Sequence, residues 1–225
     1  MGQRVPTDDG IQLGILVKNP CRQAAVNVHV TAHGLDRAGR RVANPLHPAS
    51  FIQSGADVPA IMPGQTVAVS AGVATTDTRG DTRPEFGKLE KFSATAHAEC
   101  WVKAGGEYAP MPTASKVNVG PLNADGSAAD RYANVSFRLA PATTTGPTKP
   151  AVVFRDEAGH VVDVEEGTGT YSTASPSAGR PVITVWVPPT AAPSKTTVMM
   201  RPDPERQQEW PYTRTTQCTA SVNEH

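Results

Sequence analysis

The sequence predicts an all-β protein, and three observations carry that prediction. Val, Thr and Ala are abundant while Leu is scarce, and β-branched side chains suit a pleated strand. The 21 Pro and 19 Gly punctuate the 225 residues at short intervals, as turns between short strands require. Apolar residues recur with period two, most cleanly in Ala24, Val26, Val28, Val30 and Ala32, which is the period of a half-buried strand.

The elements follow in order. Residues 1–10 read as a polar arm closing in a turn at Asp8-Asp9-Gly10. Ile11 to Lys18 is the first strand, and Asn19-Pro20 ends it in a turn. Ala24 to His33 is an antiparallel strand whose outward set is Ala25, Asn27, His29, Thr31 and His33. Asp36-Arg-Ala-Gly39 is a hairpin turn with Gly39 placed for positive φ, and Arg41 to Ala43 continues the sheet. Residues 44–60 read as a polar, Pro-containing loop around Phe51-Ile52. Met62 to Gln65 turns into a strand from Thr66 to Val73, and residues 75–90 form a charged loop. Phe92 to Val102 is a long strand with Ala94, Ala96, Ala98, Cys100 and Val102 on one face. Small residues there imply close approach of an opposing sheet. Lys116 to Val119 is one more edge strand.

Residues 121–130 are rich in turn formers and poor in core residues, so they read as a linker. After them the pattern restarts. Val135, Phe137 and Leu139 form a strand, Ala151 to Phe154 another, and Asp156-Glu-Ala-Gly159 repeats the Asp36 turn. Gly179-Arg180 leads into Pro181 to Val187 as Gly64-Gln65 leads into Thr66 to Val73. Thr213 to Val222 echoes Phe92 to Val102, with Cys218 where Cys100 falls. The three landmarks are offset by 120, 115 and 118 residues, which predicts a tandem duplication. About seven short strands per ~100 residues is the pattern of an immunoglobulin-like sandwich. The expectation is therefore two tandem immunoglobulin-like antiparallel β-sandwich domains, spanning 9–120 and 131–222.

Composition excludes several functions. Lys and Arg number 21 and Asp and Glu 21, so no basic excess marks a nucleic-acid partner. No apolar run approaches the ~20 residues that span a bilayer, so direct membrane insertion is not expected. The N-terminus lacks the apolar stretch of a signal peptide, and whether one was removed ahead of Met1 stays open. No G-x-S-x-G, S-x-x-K or H-E-x-x-H occurs, so neither an enzyme nor a cofactor is expected.

The candidate sites are few. His29 and His33 lie about 13 Å apart along one strand at ~3.3 Å per residue, too far for one metal ion; His97 lies on the outward side of its own strand. Asp77, Asp81 and Glu85 read as a solvated loop, Glu165-Glu166 as an acidic pair beside a turn, and no metal site is expected. Three cysteines leave at least one thiol unpaired in a monomer. Cys21 and Cys100 form either a disulfide across a sandwich or two reduced, buried thiols. Trp101 with Tyr108, and Trp210 with Tyr212, are the first choices for interface anchors; the other reading is core plugs beneath long loops.

The first half resembles the FxLYD-like family of small β-sandwich domains found in bacterial envelope and secreted proteins. The residues are Gly14, Val17 and Asn19 in a G-x-x-V-x-N run, the strand of Val26, Val28 and Val30, the Asp36–Gly39 turn, and Pro63-Gly64-x-Thr66 before an alternating strand. The F-x-L-Y-D segment itself is absent. The resemblance implies an accessory or adhesion-like module without catalytic residues. The expectation is a non-catalytic structural or protein-binding protein of a bacterial surface or secreted assembly, extracellular or at the cell surface. Its partners would be other protein subunits in a homo- or hetero-oligomer. The alternatives are a virion component, such as a phage tail or capsid decoration protein, and a carbohydrate-binding or enzymatic sandwich.

Overall fold

A computed structural model describes residues 5–7, 10–44, 47–74, 88–105, 108–121, 131–140, 147–167, 171–172 and 181–209. Within them the chain is all-β, with antiparallel sheets and no helix of seven residues or more. The first half holds β1 (Val5–Thr7), β2 (Gly10–Lys18), β3 (Gln23–Leu35), β4 (Ala43–Asn44), β5 (His47–Phe51), β6 (Gln53–Ile61), β7 (Thr66–Ala74) and β8 (Lys91–Lys103). The second holds β9 (Ala114–Val119), β10 (Tyr132–Leu139), β11 (Pro147–Arg155), β12 (Val161–Glu166), β13 (Tyr171–Ser172), β14 (Val182–Trp186) and β15 (Thr197–Pro202).

The same pairing scheme occurs twice. In the first half β2 sits between β1 and β7, and β3 between β6 and β8. In the second, β10 sits between β9 and β14, while β11 is flanked by β12 and β13 on one side and β15 on the other. The Asp-x-x-Gly turns agree bond for bond. Asp36 N donates to Arg40 O, Gly39 N to Asp36 O and Arg40 N to Asp36 Oδ1, each at 2.9 Å. Asp156, Gly159 and His160 make the same three bonds at 2.8–2.9 Å, and Gly39 and Gly159 take φ of 80° and 88°. A positive φ there costs glycine no steric clash.

Four sheets stack face to face. Ile11, Leu13 and Ile15 of β2 and Val67, Val69 and Ala71 of β7 face Val28, Val30, Ala32 and Val58 of the β6-β3-β8 sheet. The opposite face of the same β2–β7 pair packs on the second half: Leu16 and Ala68 meet Ala151, Val153, Val164 and Met199. At Gly14 the two sheets come closest, and an added Cβ would lie 2.9 Å from the backbone of Asp163 and Val164. The far face of β11–β12, with Val152, Phe154 and Val162, closes on Ala133, Val135 and Phe137 of β10 and Ile183 and Val185 of β14.

The first sheet also reaches that last core. At Asn27, φ 49°, β3 changes its allegiance: Val28 onward packs in the first core, whereas Ala24 and Val26 join the second. Ala60, Met62, Cys100 and Val102 follow on the neighbouring strands. Asparagine tolerates this left-handed backbone better than most residues. Asn19 ties the adjacent turns. It is 3% exposed, and its Nδ2 donates to Gln23 O and Ile61 O, each at 2.8 Å. Its Oδ1 accepts from Cys21 N, and its backbone bonds both Gln65 and Gly64.

Several expectations need correction. Residues 5–7 form a strand paired with β2 rather than a free arm. Residues 44–60 contain β5 and β6 rather than a loop. Pro59 is tolerated because β6 is an edge strand among the described residues, so a missing donor costs no ladder bond. Ala96 is exposed and Ala94 and Ala98 are half-buried, and among the described residues β8 is the edge strand beside β3. The strand at 114–119 pairs with β10, so residues 121–130 join two neighbouring strands of one sheet and do not link separate sandwiches.

Two substitutions test this packing. Gly14→Val should cost about 1–3 kcal/mol by overpacking against backbone that cannot yield, read from urea midpoints. Gly72→Ala, whose Cβ would meet only Gln12 Oε1 at 3.8 Å, should leave the midpoint unchanged or raise it. Asn19→Ala should cost about 3 kcal/mol, because it strands two carbonyls and one amide around a buried site. A midpoint like the parent's would show that water replaces those bonds freely.

Candidate functional site

The outer face of the β6-β3-β8 sheet carries the most organised polar cluster among the described residues. Register sets Asp57 of β6 and His97 of β8 directly opposite His29 of β3, so the three share one face. Glu99 is two residues further along β8. His29 Nδ1 lies 2.7 Å from Asp57 Oδ1, and its Nε2 lies 3.1 Å from Glu99 Oε1. Asn27 Nδ2 donates to Glu99 Oε2 at 2.8 Å.

A carboxylate on each ring nitrogen favours the doubly protonated imidazolium, in which both nitrogens donate. The hydrogen bond to Glu99, then that to Asp57, raises the His29 pKa above its usual value. The same bond from His29, then that from Asn27, lowers Glu99. His33, four residues on, shifts the other way: burial, then the Arg41 charge, lowers it. His29 therefore has no free lone pair for a proton or a metal. No group of three or more His, Cys, Asp or Glu among the described residues converges on a metal position. What the cluster offers is a fixed positive charge between two fixed negative ones.

A second ionisable cluster lies inside the other half. Asp163 stands opposite Phe154 and Glu165 opposite Val152, so both carboxyls share the core-facing side of β12. Asp163 is 1% exposed, and its Oδ1 accepts from Val164 N at 2.7 Å. Its Oδ2 is buried with no hydrogen-bond partner among the described residues. Burial, then the Asp163 charge and the hydrogen bond to it, push Glu165 up to about 8. Burial also raises Asp163. Such an acid pair is the electrostatic signature of a general acid. Here Asp163 stands opposite Phe154 and is buried, while Glu165 stands opposite Val152 and is half-buried. On the opposite side of the same sheet, buried Arg201 pairs with Glu166, and Lys149 Nζ lies 2.8 Å from Glu205 Oε1.

The anticipated site residues separate. Trp101 is 37% exposed and follows Glu99 on the outer face of β8. Tyr108 is buried with Met62 and Met111, so it is a core plug and not an anchor. Trp210 and Tyr212 lie outside the described residues. The Cys21–Cys100 disulfide does not form: Cys21 is free and exposed, while Cys100 is buried and disulfide-bonded to a partner outside the described residues. Cys100 pairs in register with Val26. Cys21 precedes Val26 by five residues, about 16 Å of extended chain, well beyond the reach of a disulfide. Sequence reading noticed His29 and His97 separately, but only the register of three strands brings them to Asp57 and Glu99. It also passed over Tyr132, which stands opposite Trp186 on an outer face; the period-two pattern around Val135 and Phe137 points to its exposure.

Among the described residues no helix is long and apolar enough to cross a membrane. No protein-family model matches the chain, and no curated protein matches it.

The buried acid pair sets a pH dependence. The native state keeps a proton on Glu165 up to about pH 8, whereas the unfolded chain releases it near 4.5. Stability should fall as pH rises through that window and level off above it. His29, with a raised pKa, adds a loss of the same sign as pH rises above 6.5. Melting temperatures across pH 5 to 8 should fall less for Glu165→Gln than for the parent, and that difference isolates the pair. Parallel curves would show that the carboxyl ionises without cost.

Proposed function

We propose that this chain is a non-catalytic, protein-binding module of a bacterial surface or secreted assembly, built as two tandem immunoglobulin-like sandwiches. The repeated pairing scheme supports the duplication, with β1–β8 as one unit and β9–β15 as the other. The observation that carries the binding role is the outer face of β6-β3-β8. There His29, Asp57, Glu99 and Asn27 hold one another in place, and the exposed Trp101 follows two residues after Glu99 in β8. Charged groups fixed before contact lose little entropy on binding and set orientation, and an exposed Trp has the character of an interface anchor. The disulfide at Cys100 suits an oxidising compartment and favours the extracellular reading over the virion one. The engaged nitrogens of His29 and the inward-facing acid pair both favour a role without catalysis.

A photoreactive side chain placed at Trp101, with a second at exposed Arg37 as control, tests the reading in the native assembly. Position 101 should give one discrete protein adduct that weakens in a Glu99→Ala background. No adduct at 101, or the same pattern from both positions, would overturn it.

A further inference from the structure

The outer face of the β14-β10-β9 sheet has a different chemistry. Ala133, Val135 and Phe137 of β10 and Ile183 and Val185 of β14 are buried, so the alternate residues point outward. Register places Tyr132 opposite Trp186, Asn134 opposite Thr184, and Ser136 opposite Val182. On the other side of β10, Ser136 meets Asn118 and Arg138 meets Ser115. Tyr132 is 46% exposed. Directly opposed side chains stand about 5 Å apart, so Tyr132 and Trp186 make one aromatic platform. Next along the face, Thr184 Oγ1 donates to Asn134 Oδ1 at 2.8 Å. That bond orients the Asn134 amide and leaves its N–H groups without a partner among the described residues.

Charge on this sheet is one-sided. Residues 114–121, 131–140 and 181–187 contain Lys116, Arg131 and Arg138 and no Asp or Glu, in a chain of zero formal net charge. Arg131 takes the inward side of the alternation, next to the buried Val187, and the exposed Lys116 and Arg138 lie at the far end. Tyr132 and Arg138 are separated by about 20 Å along the strand. Between them the face is neutral, made of amide and hydroxyl groups and the exposed side chain of Val182.

We propose that this face binds an anionic carbohydrate chain. The C–H face of a sugar ring stacks on Tyr132 and Trp186. Its hydroxyls bond Asn134, Ser136 and Asn118, and acidic groups further along the chain meet Arg138 and Lys116. The separation of platform and cations calls for a chain, not a single sugar. A single-stranded nucleic acid carries a charge at every residue and is held by cations along its whole track; the neutral middle of this strip does not supply them. The proposal uses a different sheet from the one that carries Trp101 and does not rest on the protein-binding reading.

The test is calorimetric titration of the full chain with oligogalacturonate and hyaluronan as anionic probes, dextran as a neutral one, and oligo-dT. At least one anionic probe should bind. Tyr132→Ala or Trp186→Ala should weaken it roughly tenfold, Arg138→Gln should weaken it and flatten its salt dependence, and Trp101→Ala should change nothing. Melting curves check that each variant is folded, and Tyr132→Ala, at an exposed position, is the variant least exposed to that objection. The proposal is overturned if neither anionic probe binds, if dextran binds as tightly, if oligo-dT binds more tightly, or if a folded Tyr132→Ala binds like the parent.

Discussion

Where Gly14 meets the backbone of Asp163 and Val164, two sheets from opposite halves of the chain approach until a single added carbon would not fit. Small residues make that approach possible: Gly14 and Ala68 on one side and Ala151 on the other. The consequence is that the β2–β7 pair packs on both faces, one closing the first core and the other, through Gly14, Leu16 and Ala68, making the contact between halves. A sheet buried on both sides loses the usual polar alternation, which is why Gly14-Ile15-Leu16-Val17 reads as an unbroken apolar run. The remaining layers are arranged around this pair.

Polar groups inside such a stack persist only where their bonding is complete or their charge is suppressed. The three solutions here differ. Asn19 satisfies its side-chain and backbone groups at a crossing of two turns. Arg201 pairs with Glu166, while its buried Nε has no hydrogen-bond partner among the described residues. Asp163 and Glu165 cannot both ionise side by side in the core, so the second proton stays. Gln65 spans the two halves, accepting from Met62 N and donating to Met200 O, and adds direction to a contact that is otherwise shape alone.

The stack leaves two outer sheets with unlike surfaces. On one, His29 lies between Asp57 and Glu99, with Trp101 beyond. On the other, Tyr132 and Trp186 stand beside amides, and among the described residues of that sheet the only charges are positive. Inward positions of a strand are held by packing, whereas outward ones change at little cost to stability. Two outer sheets can therefore differ in surface chemistry while the packing beneath them stays the same.

Much of the architecture was legible in the sequence because it is written in local rules. Alternating Val and Ala announced β3 and its neighbours, Asp36–Gly39 and Asp156–Gly159 announced matching turns, and the composition ruled out helices. Pro59 misled, since proline argues against a central strand but not against an edge, and edges are known only from pairing. The placement of β9 was hidden for the same reason, because an edge strand carries no mark of the sheet it will join. The sites were less legible still. His29, Asp57 and Glu99 lie far apart in sequence and meet only through register, and Glu165 looked like half of a surface pair until Phe154 and Val152 were found facing it. By itself the sequence determined strands, turns and their repetition, each set by a few neighbouring residues. Which faces meet, which carboxyl keeps its proton and which cysteine stays free were decided by the tertiary structure, because each depends on atoms that distant strands bring within a few ångströms.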